Sequence, residues 1–86
     1  MKEFSFAVTD PLGIHARPAG LLAKLCKGFE GTTVTVVKGD KEAKASQLMK
    51  LMSLAVKSGD TVTVKVEGPA ENEAFAALEA FFKENL

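Results

Sequence analysis

The chain has 86 residues, of which 47% are apolar, with 11 basic and 11 acidic side chains. That length suits one domain, residues 1–86, around a modest core, and the apolar share is too high for a disordered chain. The even charge balance argues against a nucleic-acid binder, which would carry a basic excess.

Residues 2–8 alternate with period two through Phe4, Phe6 and Val8 and predict a half-buried strand. Asp10, Pro11 and Gly13 break it. From Ala16 the period becomes helical. Ala19, Leu22, Ala23 and Cys26 share a face that Leu25 widens, and Pro18 is tolerated in the first turn. Gly28 is placed to end this helix, with Lys24 and Lys27 near its negative end.

Residues 32–37 are rich in β-branched side chains and predict a strand. A turn over 38–41 returns a short strand at 42–44. Ser46 is placed to cap a second helix over 47–52, which is short and strongly apolar. Leu48, Met49, Leu51, Met52 and Leu54 exceed one buried stripe. The core takes some of them, and together they predict a partly exposed patch suited to a partner.

Ser58, Gly59 and Asp60 make a turn before a clean alternation over 61–66, with Val62, Val64 and Val66 inward. Pro69 is placed to start the last helix, whose first turn holds Glu71 and Glu73. Ala74, Leu78 and Phe81 are predicted to line its buried face, broadened by Phe75 and Phe82. The order β-α-β-β-α-β-α predicts an α+β, two-layer open-faced sandwich. Its four-stranded antiparallel sheet is covered on one face by three helices.

The only histidine, His15, and the only arginine, Arg17, lie at the junction of the first strand and the first helix. Backbone N–H groups in the first turn of a helix have no internal partner and favour an anion. Arg17 adds a fork of donors suited to phosphate. These residues read as a site where a histidine carries or receives a phosphoryl group. The plainer alternative is a surface histidine in a geometry that Pro18 alone accounts for.

Cys26, the only cysteine, cannot form an internal disulfide and reads as a small buried apolar residue. One histidine and one cysteine do not supply a tetrahedral site, so no metal is expected. With no signal peptide and no long apolar segment, a cytoplasmic location is expected.

The string Gly-Ile-His-Ala-Arg-Pro-Ala at residues 13–19 resembles the active-site signature of the HPr family. These are the histidine-containing phosphocarriers of the bacterial phosphoenolpyruvate:sugar phosphotransferase system. The likeness spans the chain in length and element order, including the apolar segment 48–54. It implies that His15 accepts the phosphoryl group at Nδ1, that Arg17 contacts its oxygens, and that the N–H groups of Ala16 and Arg17 meet its charge. It further implies phosphorylated Enzyme I as donor, IIA domains of sugar permeases as acceptors, and no cofactor. The docking surface would include Leu48, Met49, Leu51 and Met52, with Gly20 and Lys24 at its edge. Such a protein is a substrate of phosphotransferases and not a catalyst, and a monomer is expected.

One departure concerns Ser46. A regulatory serine in part of the family immediately precedes the apolar run, and here that position is Gln47. Ser46 would be a regulatory phosphosite only with a residue inserted in the second helix, so it is expected to be a structural cap. Two other roles fit the residues: a regulatory relative using the same histidine, and an interaction domain using the Leu/Met patch with His15 idle.

Overall fold

The computed structural model describes residues 2–11, 13–14, 16–29 and 31–86. Seven elements follow one another: β1 (Lys2–Ala7), α1 (Ala16–Lys27), β2 (Thr33–Lys38), β3 (Lys41–Lys44), α2 (Leu48–Ser53), β4 (Thr61–Glu67) and α3 (Glu71–Asn85). The strands form one antiparallel sheet in the order β1-β4-β2-β3, with the helices on one face. This is the open-faced sandwich expected from the alternation of residues.

Register follows from that alternation. Phe4 lies opposite Val64 and Phe6 opposite Val62, while Val36 is paired with Val64 on one side and Ala43 on the other. These inward residues meet Ala19, Leu22 and Cys26 of α1, Leu51 of α2, and Ala74, Leu78 and Phe82 of α3 in one core. Each large side chain buried there stabilises the fold by roughly 1.5–3 kcal/mol. Phe82 is fully buried and meets the rings of Phe6, Phe4 and Phe81 edge-on at centroid distances of 5.5, 5.6 and 6.1 Å. On the other face Ser5 and Thr63 share a hydrogen bond at 3.3 Å.

Several local expectations are corrected. Gln47, and not Ser46, is the N-cap residue of α2, and no side-chain hydrogen bond caps it. The cause is a turn closed by Gln47 N–H to the Lys44 carbonyl at 3.0 Å, which holds Ser46 outside the helix. Pro69 does not start α3, which begins at Glu71 after Ala70. The Ala70 N–H donates to Thr32 Oγ1 at 3.0 Å, so the helix start is set by a distant side chain. The buried stripe of α3 is Ala74, Leu78 and Phe82, with Phe81 only partly buried, because i, i+4, i+8 spacing tracks the sheet.

Two backbone features have steric causes. Gly68 has φ +145°, and a Cβ there would lie 2.5 Å from Thr32 Cα, so only glycine lets β4 turn into α3 beside Thr32. Ala55, just past α2, has φ +53° and is the one non-glycine residue with positive φ among the described residues. For a residue with a Cβ that conformation costs about 1–2 kcal/mol.

Candidate functional site

The first turn of α1 is held against the rest of the molecule by the segment that leads into it. Gly13 N–H donates to the Asp10 carbonyl at 2.9 Å, and Ile14 N–H to the Val56 carbonyl at 3.1 Å. Gly13 has φ +66°, and a Cβ there would overlap the Val56 carbonyl oxygen and crowd Lys57 Cα. Ile14 is buried, as are Pro18 and Ala19. His15 follows Ile14 and precedes the first helical residue in sequence, and it lies outside the described residues.

Ala16 and Arg17 are exposed at the start of α1. Their N–H groups belong to the first turn, which offers no internal acceptors. Arg17 lines an open cleft of about 260 Å³ with Asp10, Pro18, Leu21, Glu84 and Asn85. One basic residue and two acidic residues therefore line the same cleft. Its α3 wall is fixed in part by Asn85, whose Nδ2 donates to the Phe81 carbonyl at 3.1 Å.

The apolar patch expected on the second helix is partly present. Met49 is 80% exposed, and Leu48 and Met52 are each 38% exposed. Leu51 is removed from the expected docking set, because its side chain is fully buried in the core between α2 and the sheet. Leu21, on the neighbouring helix α1, is 46% exposed and was not anticipated. The available signal was its place outside the buried face of Ala19, Leu22, Ala23 and Cys26. Lys24 is exposed and Gly20 half-buried.

Burial pushes the Cys26 thiol up to about 12, which keeps this group protonated near neutral pH. Among the described residues no helix is long and apolar enough to cross a membrane.

A family model described as "PTS HPr component phosphorylation site" matches residues 2–84. The chain belongs to the HPr family. It is 38% identical over 85 residues to the phosphocarrier protein HPr of Mycoplasma genitalium, covering 99% of this chain and 97% of that one. With HPr of Lysinibacillus sphaericus the identity is 40% over 84 residues, covering 98% and 94%. Among solved structures, HPr-C-His from Thermoanaerobacter tengcongensis superposes with a TM-score of 0.86 at 37% identity over the whole of both chains. HPr from Bacillus anthracis gives 0.85 at 31%, covering 94% of this chain and 95% of that one.

As an HPr-family protein the chain is a phosphocarrier. It accepts a phosphoryl group on histidine and passes it between Enzyme I and IIA domains of the phosphotransferase system. It is a carrier and a substrate, not a catalytic enzyme.

Proposed function

We propose that His15 is the phosphoryl acceptor and that Arg17, with the N–H groups of Ala16 and Arg17, stabilises the incoming charge. The observation that carries this reading is that the only histidine in the chain lies within the matched residues and immediately before α1. Neutral imidazole is a nucleophile, and its reference pKa near 6.5 keeps much of it unprotonated at neutral pH. Its Nδ1 lone pair forms the N–P bond as the bond from phosphorus to the donor group on Enzyme I breaks. In the second transfer an acceptor on the IIA domain takes the phosphoryl group and imidazole leaves. Arg17 can meet the phosphoryl oxygens with a bidentate fork. Asp10 and Glu84, on the same cleft, limit how strongly that fork retains a dianion, which suits a group that must be passed on.

Docking is assigned to Leu48, Met49 and Met52 of α2 with Leu21, Gly20 and Lys24 of α1. A single surface that meets donor and acceptor in turn fits a monomer, and we assign the protein to the cytoplasm. Ser46 is read as a turn residue and not as a regulatory phosphosite.

The test is mass spectrometry of the purified protein with phosphoenolpyruvate, Mg²⁺ and purified Enzyme I. The expected result is one acid-labile phosphoryl group, absent in His15→Ala and retained in Ser46→Ala. Labelling that survives His15→Ala, or none in the wild type with a competent Enzyme I, overturns the assignment.

A further inference from the structure

Lys38 ends β2, and its ammonium reaches across to the loop that follows α2. Nζ donates to the Ala55 carbonyl at 2.9 Å and the Leu54 carbonyl at 3.3 Å, and it pairs with Asp60 Oδ2 at 3.1 Å. Three acceptors match the three N–H bonds of an ammonium. Two of them are carbonyls just beyond the C-terminus of α2, where cations are favoured. Asp60 Oδ2 also accepts the Lys57 N–H at 2.9 Å, so the carboxylate closes the loop on itself. The clamp grips Ala55, the residue whose positive φ is costly.

The other side of this loop faces the segment leading to His15. Val56 supplies the carbonyl that holds Ile14 N–H, and the backbone of Gly13 packs against Val56 and Lys57 too closely to admit a side chain. The end of β1 is tied to the same loop by Val8 N–H to the Asp60 carbonyl at 2.9 Å and Gly59 N–H to the Val8 carbonyl at 2.8 Å. One ammonium therefore contacts a loop that borders both the backbone before His15 and the C-terminus of the helix carrying Met49 and Met52.

We propose that Lys38 is a positioning residue for phosphoryl transfer: by clamping Ala55 and Asp60 it fixes the 54–60 loop against Gly13–Ile14 and keeps the acceptor segment in register with the docking helix. This rests on the reading of His15 as acceptor. It differs from a role in which Lys38 is a surface charge that attracts the partner, because the clamp acts through loop conformation and not through net charge.

The experiment measures two quantities at 25 °C for folded protein: the rate of phosphoryl transfer from phosphorylated Enzyme I, and hydrogen exchange of the Ile14 amide. In Lys38→Met the transfer rate is expected to fall about tenfold through misplacement of the acceptor segment. Ile14 exchange is expected to rise by about the same factor as the loop opens locally. Adding Ala55→Gly, which removes the cost of the positive φ, is expected to restore both to within about threefold of wild type. A Lys38→Met protein with wild-type transfer and wild-type exchange overturns the proposal. So does slow transfer that Ala55→Gly leaves unrestored while Ile14 exchange stays at the wild-type rate. Should Lys38→Met not fold, Asp60→Asn replaces it, with faster Ile14 exchange expected and unchanged exchange overturning the clamp. If wild type takes no phosphoryl group, the acceptor reading fails on its own, and Ile14 exchange still decides the clamp.

Discussion

The hydroxyl of Thr32 accepts the N–H of Ala70 at 3.0 Å, so the residue that precedes α3 is anchored by a side chain 38 positions earlier in the chain. The absence of a Cβ at Gly68 is what lets the two segments approach. Loss of one such hydrogen bond costs about 1 kcal/mol. Thr32→Ala is expected to lower unfolding stability in urea by about that amount, and Thr32→Ser to lose less because it keeps the acceptor.

Phe82→Ala removes the ring on which Phe4, Phe6 and Phe81 converge. Truncation of a buried phenylalanine costs about 3–5 kcal/mol, against a total of about 5–15 kcal/mol for a small domain. The variant is expected to unfold at a much lower urea midpoint. Phe75→Ala, at a partly buried ring, is expected to shift the midpoint far less.

These two positions also show what could be read in advance. Strand β4 was legible because Val62, Val64 and Val66 alternate with polar residues, and α1 because Ala19, Leu22, Ala23 and Cys26 repeat at helical spacing. The seven-residue string around His15 pointed to the family without help from the fold. What escaped was set by contacts across the sequence. Pro69 is a good local start for a helix, but α3 begins two residues later, after an Ala70 whose N–H the Thr32 hydroxyl holds. Ser46 is a good local cap, but the turn from β3 leaves it outside α2. Leu51 could not be separated from Leu48 and Met52 in so apolar a run until the sheet beneath it was known. The grip of Lys38 on the loop after α2 has no local signature at all.

Asp60 gives a pH dependence with a defined sign. The Lys57 N–H, and after it the Lys38 ammonium, hold its carboxyl below the usual value of about 3.8. Its contribution to stability is therefore present above that value and is lost as pH falls through the lower native value. Asp60→Asn is expected to be less stable than wild type near neutral pH. The difference should shrink steadily as unfolding is measured at pH values below about 4.

Arg17→Lys keeps the charge at the start of α1 but loses the planar fork. Phosphoryl transfer from Enzyme I is expected to slow on the order of tenfold, and on the order of a hundredfold for Arg17→Ala, in the range for removing a transition-state donor. Circular dichroism and urea midpoints should be unchanged, because Arg17 is exposed.

Cys26 is buried, and its thiol is pushed up to about 12. Alkylating reagents at about pH 8 are expected to leave it unmodified in the folded protein and to label it fully in denaturant.

The position of β4 between β1 and β2 has a consequence for how the protein is made. Strand β1 pairs only with β4, whose residues are synthesised more than fifty positions later, and the Val8 and Ile14 N–H groups wait for carbonyls at Asp60 and Val56. Although the segment before His15 leaves the ribosome early, the carbonyls that hold Ile14 and Val8 are added only with Val56 and Asp60. The backbone that leads into His15 therefore gains its native ties only once the later half of the chain has been made.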